Sequence, residues 1–250
     1  RDFDKGFLLI HQALEEDKIT FCTDTPQTPA RCFVILDFEK QEQLLYYKVK
    51  EISYFVEQRL STYHSSRGGK IDLPTFKSRF LEDQEIEDIV FYFVFELFLL
   101  HRWFMEFETS LTRNVLGAEL QANTLFSLCL ILENFLRYES KNPAPKGFGY
   151  LLAKFLCTQK KLVNLDSGRV KQLRNDFKVN FKHTAERLLD SSYRFQDGSA
   201  PSSIEEDWAI AYGFRNYGAH RLEDQPVVYE NFEEICQRIL NALFFSVERL

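Results

Sequence analysis

Seven prolines, at 26, 29, 74, 143, 145, 201 and 226, divide this chain into long stretches in which apolar residues recur at intervals of three and four. That spacing places side chains on one face of a helix, whereas a half-buried strand would alternate. The pattern predicts an all-α protein, a multi-helix bundle. From Leu36 through Leu44, Leu45, Val49, Ile52, Phe55, Val56 and Leu60 it predicts one long amphipathic helix, with Cys32 to Leu36 as the one candidate for a short strand. Asp83 is placed to cap a helix running toward Glu108. A further helix is expected over Glu119 to Tyr138, with Leu125, Leu128, Leu132 and Phe135 on one face. After a proline-rich break at Asn142 to Lys146, the reading gives a short helix around Gly149 to Cys157 and a longer one from about Ser167 to Ser191. Ser203-Ile204-Glu205-Glu206 reads as a capping box that opens a helix ending near Glu223 to Pro226. The last helix is expected from about Tyr229 to Val247, with Phe232, Ile235, Ile239, Leu243 and Phe244 inward.

Composition narrows the function classes. With 25 phenylalanines and 11 tyrosines in 250 residues, the apolar part is unusually aromatic, which is packing material first. The net charge of −6 argues against a broad nucleic-acid groove or a membrane-surface protein, so any RNA site must be local. Five scattered cysteines without a CxxC pair point away from a disulfide framework and a zinc site, and His11, His64 and His101 suggest no ligand set, so neither metal nor cofactor is expected. The apolar run Ile89 to Leu100 is shorter than the roughly 18 residues a membrane span needs, and Glu96 interrupts it. It reads as a buried helix. No signal peptide is visible, and the cytoplasm is the expected location.

The candidate chemistry is the string Arg215-Asn216-Tyr217-Gly218-Ala219-His220. An always-charged guanidinium and an imidazole titrating near neutrality can hold a phosphodiester and move a proton on it. Asn216 and His220, four apart, share a helix face, so the amide can fix the imidazole tautomer. Arg215 and His220, five apart, diverge by roughly 140° on a continuous helix and converge only near a helix end, a bend or a second subunit. Gly213, Gly218, Ala209, Ala211 and Ala219 leave the segment without bulky side chains, as close approach of another backbone across a two-fold would require. The same spacing recurs at Arg59 and His64, but Leu60 follows that arginine and Gly68-Gly69 soon ends the segment, so this second copy reads as coincidence.

The 215 to 220 string resembles the signature of the HEPN superfamily, small all-helical domains whose active members are metal-independent endoribonucleases. Leu132-Glu133-Asn134-Phe135-Leu136-Arg137 resembles the acidic, leucine-rich early helix of such domains. The resemblance implies a HEPN-like helical domain over residues 116–250 behind an unassigned N-terminal helical region, 1–115. It also implies a homodimer through the 205–222 helix that cuts single-stranded RNA at a composite site of Arg215, Asn216 and His220. Glu133 is a candidate brace for Arg215 or another active-site cation across the helix pair, with an ordinary helix-surface acid as the plain alternative. The settings implied are prokaryotic defence or toxin–antitoxin systems, in which a regulatory protein partner often holds the enzyme inactive. The alternative is a non-catalytic helical module that binds a partner such as a nucleotidyltransferase, with Arg215 paired to Asp207 or Glu223.

Substrate contacts are expected between Lys154 and Arg187, where nine lysines and arginines stand against three acids. Lys171, Arg174, Lys178 and Lys182 fall three or four apart and form one stripe, opposite Val170, Leu173, Phe177, Phe181 and Leu188. RNA phosphates would lie along this stripe; a solvated helix face is the plain alternative. His183, beside it, reads as a solvent-exposed histidine.

Overall fold

The computed structural model describes Gln12, Glu16, Ile19, Thr20 and residues 41–106, 115–141, 147–218 and 225–250. Among these, every regular element is helical, as the periodicity requires. The α-helices are α1 (Gln41–Arg67), α2 (Leu73–Phe76), α3 (Glu87–Glu106), α4 (Val115–Ser140), α5 (Phe148–Tyr150), α6 (Ser167–Val179), α7 (Phe181–Leu189), α8 (Ser203–Tyr217) and α9 (Gln225–Arg249), and a short π-helix, Lys77–Leu81, follows α2. The candidate strand at Cys32 to Leu36 and the break at Asn142 to Lys146 lie outside the described residues. The chain divides into two compact units, Arg1–Val49 and Lys50–Leu250. All that follows concerns the second.

Its core is built around α9, which packs along both α4 and α8. Ile235, Cys236, Ile239, Leu240, Leu243, Phe244 and Val247 of α9 are all buried, so the inward face expected from the sequence is the one used. Aromatic rings tie distant segments together. Phe76 packs edge-on against Phe244 with centroids 5.2 Å apart, and Phe80 does the same against Phe93 at 5.1 Å and Phe135 at 5.3 Å. Such pairs contribute about 0.5–1.5 kcal/mol each beyond their area. Helices on either side of residues 115 and 116 therefore share one core.

Local chemistry explains the boundaries. Asp83 accepts a hydrogen bond from the Glu85 amide and opens a 3₁₀ turn, Gln84–Ile86, that runs into α3. Asp166 caps α6 by accepting from the Arg169 amide. The helix expected over Ser167 to Ser191 is two helices. Asn180 leaves helical geometry at φ −150° and ψ 90°, and its side chain caps α7 by accepting from the His183 amide. The capping box of α8 sits one residue earlier than expected, on Ser202. The Ser202 hydroxyl accepts from the Glu205 amide, while the Glu205 carboxylate accepts from the Ser202 amide at 2.7 Å. After α5, the chain expected as an ordinary short helix continues as a π-helix, Leu151–Gln159, in which the Lys160 amide reaches back five residues to the Phe155 carbonyl at 2.9 Å. The last helix begins at Gln225, earlier than expected, with a kink at Asn231 (φ −125°, ψ 18°).

The start of α8 carries Glu205, Glu206 and Asp207 in succession, and all three are buried. Glu205 also accepts from the Asn164 amide at 2.6 Å. Glu206 accepts from the Ser191 hydroxyl at 3.0 Å and from Arg238 of α9 at 3.1 Å. Asp207, fully sealed, takes Arg67 of α1 in a two-pronged grip at 2.6 and 2.7 Å, with Arg238 at 3.3 Å and the Asn241 amide at 3.2 Å. Asp207→Ala leaves two guanidinium groups facing a sealed gap. It is expected to cost about 3–5 kcal/mol, measured by urea unfolding, and a loss below about 1 kcal/mol would show that the network contributes little.

Glu96 of α3, half-buried beside Ser127 of α4, is pushed up to about 7 by burial. Its folded value lies above its ordinary 4.5, so the folded state binds the proton more tightly and stability falls as pH rises from about 4.5 through 7. Glu96→Gln should raise the melting temperature at pH 8 and leave it nearly unchanged at pH 4.5. Equal shifts at both values in thermal melts would exclude this origin.

Candidate functional site

Arg215 lies in the last turn of α8, which ends at Tyr217. Gly218 still has right-handed helical dihedrals, φ −66° and ψ −32°, with its amide on the Phe214 carbonyl, and the expected helix end near Glu223 lies outside the described residues. Ala219 and His220 lie outside the described residues. The Arg215 Nε donates to Glu133 Oε2 of α4 at 2.5 Å, while the other carboxylate oxygen accepts from Arg137 at 2.5 Å. Glu133 is 1% exposed, so a sealed carboxylate is shared by two arginines that each reach solvent, with side chains 26% exposed for Arg215 and 39% for Arg137. The Arg215 guanidinium also lies over the Phe126 ring, 5.2 Å from its centroid. Its two terminal amino groups have no hydrogen-bond partner among the described residues. The arginine is thus fixed through its Nε and its flat face, while the atoms best suited to an oxyanion have no partner among the described residues.

Asn216 is exposed, and its amide nitrogen donates to the Tyr212 carbonyl one turn back at 2.8 Å. This bond leaves the amide oxygen as its accepting group. Tyr217 stacks on Phe177 of α6, with centroids 6.3 Å apart and planes 13° apart.

The small residues around the motif serve this chain itself, which corrects the reason given for a second backbone. Ala209 and Ala211 are fully buried, and every residue from Glu205 to Phe214 is inside the protomer. A Cβ on Gly213 would lie 2.2 Å from the tip of the Phe177 ring, so the glycine is what allows α6 to lie against α8. Between Glu205 and Phe214 this helix offers no free surface for a dimer contact. Of the two alternative partners for Arg215, Asp207 is taken by Arg67 and Arg238, and Glu223 lies outside the described residues. The repeat of the spacing at Arg59 and His64 is structural: Arg59 donates to Glu233 at 3.1 Å, and His64 Nε2 meets the Ile71 carbonyl at 2.7 Å.

The basic stripe is split by the break at Asn180. Lys171, Arg174 and Lys178 are exposed on α6, while Lys182 belongs to α7 and pairs with Glu186 at 3.7 Å. The apolar face opposite is as expected, with Val170, Leu173, Phe177, Phe181 and Leu188 all buried. His183 is exposed. Among the described residues no group of three or more His, Cys, Asp or Glu could hold a metal ion, and no helix is long and apolar enough to cross a membrane. Cys129, Cys157 and Cys236 are free, and burial pushes the Cys236 thiol up to about 12, which leaves it inert.

Sequence reasoning missed a groove of about 280 Å³ between the π-helix, α6 and α8. Lys171 and Arg174 line it together with Lys154, Tyr150 and Tyr212. The one signal for it was the cluster of positive charge beginning at Lys154. Comparison with protein-family models, curated proteins and solved structures returns no match.

Glu133→Gln keeps the shape of the brace and removes its charge. Because both arginines reach water, the expected loss is below that of a sealed pair, about 1–3 kcal/mol in urea unfolding. Arg137→Ala, which leaves Glu133 paired with Arg215, should cost less than half as much.

Proposed function

We propose that this protein is a metal-independent endoribonuclease of the HEPN type, cutting single-stranded RNA with Arg215, Asn216 and His220. The observation that carries the reading is the Glu133–Arg215 pair: a buried carboxylate on an early helix holds the motif arginine by its Nε, and its terminal amino groups have no partner among the described residues. An arginine serving only as a clamp between helices has no need of this division of labour.

In the reaction, the 2′-oxygen of a ribose forms a bond to the adjacent phosphorus and the bond from phosphorus to the 5′-oxygen breaks. The products are a 2′,3′-cyclic phosphate and a 5′-hydroxyl. His220 accepts the proton of the attacking hydroxyl and an imidazolium returns one to the leaving oxygen, an effect of about 10²–10⁴ in rate. Arg215 offsets the charge that builds on the non-bridging oxygens. The Asn216 amide oxygen orients the imidazole N–H. Two protomers meeting through the end of α8 would supply the two imidazole roles from two copies of His220. The settings in keeping with such an enzyme are prokaryotic defence and toxin–antitoxin systems, with a protein partner restraining it.

The second reading is a non-catalytic helical module with the same fold, in which Arg215 only joins α8 to α4; the engagement of its Nε by a buried acid favours it to that extent. Labelled single-stranded RNA incubated in EDTA separates the two. The wild type should yield 2′,3′-cyclic phosphate ends, and His220→Ala and Arg215→Ala should each lose about a hundredfold or more in rate. Equal cutting by wild type and His220→Ala would remove the histidine from the chemistry. No cutting by any of the proteins would favour the binding module.

A further inference from the structure

The groove beside α8 has a chemical character of its own. Three of its nine lining residues, Lys154, Lys171 and Arg174, are cationic and none is acidic. None of the three has an ion-pair partner among the described residues, although the chain as a whole is acidic and other cations, such as Arg67, Arg169, Arg215 and Arg238, are paired. The N-terminus of α6 does not explain this concentration, since Asp166 already caps it. The arrangement is imposed by backbone. The π-helix carries Lys154 along the groove wall, a geometry found disproportionately at functional sites. Gly149 lets this wall close on Tyr212 and Val170, each 3.2 Å from where its Cβ would be. Apolar Val170 and Ala153 and the ring of Tyr212 form the lining between the cations, and Tyr150, 39% exposed, presents an aromatic ring at the same opening. Burial pushes the Tyr212 phenol up to about 12, against the pull of Arg174, so it enters the groove as a neutral hydroxyl.

We infer that this groove is a nucleotide subsite for single-stranded RNA, in which Lys154, Lys171 and Arg174 hold one phosphate and Tyr150 stacks on the adjoining base. The volume, about 280 Å³, is close to the lower bound of small-molecule sites and suits one nucleotide rather than a duplex. A cationic wall with an aromatic ring beside it is the combination that single strands use, since every base offers a flat face and every linkage a charge. The inference rests on the RNA-directed reading above and gives it a location. Tyr212 is one helical turn before Arg215 and Asn216, about 5 Å along the axis, and its carbonyl accepts from Asn216. A strand with a nucleotide in the groove would therefore pass the end of α8, where the motif begins.

The test is equilibrium binding of a short 5′-fluorescein-labelled oligoribonucleotide to the full chain carrying His220→Ala, followed by anisotropy in EDTA at several salt concentrations. Lys154→Glu with Arg174→Glu should weaken binding about tenfold or more and lower the salt slope by about one. Tyr150→Ala should weaken it about fivefold or more with the salt slope unchanged. Lys70→Glu, outside the groove, carries the same charge change per site and should have little effect. Lys70, Tyr150, Lys154 and Arg174 are exposed, and thermal melts check that each variant is folded. Undiminished binding by the groove variants, an equal loss in Lys70→Glu, or no binding by the parent overturns the subsite. If the wild type cuts RNA while the groove variants bind normally, the subsite fails and the ribonuclease reading stands. If binding depends on the groove but the wild type never cuts, the subsite stands and the ribonuclease reading fails.

Discussion

Three consecutive acids at the start of one helix set the geometry of this protein. Glu205, Glu206 and Asp207 are buried, and each is satisfied by different parts of the chain: the segment at Asn164, Ser191 after α7, Arg67 of α1, and Arg238 and Asn241 of α9. Burying carboxylates is costly unless each lone pair finds a donor, so these side chains tolerate few arrangements of the surrounding helices. Burial pushes the Asp207 carboxyl up against the pull of Arg67 and Arg238, which illustrates the opposing forces. The helix dipole works with the network, since acids sit at the positive end of α8 and Arg215 at its negative end. Hydrophobic periodicity can bring α8 near α9. The acids fix its depth and rotation.

This division between general packing and specific polar contacts also explains what was legible in the sequence. Apolar residues at intervals of three and four identified the inward faces of α1, α4 and α9, and Ile52, Phe55, Val56 and Leu60 are buried as expected. The same signal concealed the break at Asn180. Phe177 and Phe181 are four apart, so the period runs unbroken from α6 into α7 although the backbone does not. The asparagine itself was the readable sign, as a good capping residue in the middle of a supposed helix. The capping box was off by one because Ser202-Ser203 followed by Glu205-Glu206 supports two registers, and only the packing of Glu206 against Arg238 distinguishes them. The π-helix had no sequence signature: its i to i+5 bonds depend on how Leu151, Leu152, Phe155 and Leu156 pack, which spacing alone does not encode.

At the candidate site, the arginine and its brace were legible because charge pairing between two predicted helices needs only residue types. The small residues misled because a gap beside a backbone does not declare what fills it. Gly213 has the composition of an interface, yet the ring of Phe177 from the same chain occupies that space. The groove was half legible. Its charges stood out, but Tyr150 and Tyr212 come from distant segments and meet only through the close approach at Gly149.

Rigid support at both ends of α8 has a consequence for recognition. An arginine left free in solvent loses rotamer entropy when it grips a phosphate, and that loss subtracts from binding. Arg215 has largely made this sacrifice in folding, because Glu133 fixes its Nε and Phe126 supports its flat face. Glu133 is itself held between two guanidinium groups in the core, so the brace cannot easily swing away. Lys154, Lys171 and Arg174 are the opposite case, exposed side chains with no partner to restrain them among the described residues. The two sets of cations are therefore suited to different tasks. Under the proposed reading, the flexible lysines and arginine of the groove would attract and loosely hold a backbone whose sequence varies, while the braced arginine at the helix end would present a fixed geometry to a single phosphodiester. A preorganised charge is worth most where charge develops during a reaction, and Arg215 is the charged residue of this pair of sites whose surroundings provide that preorganisation.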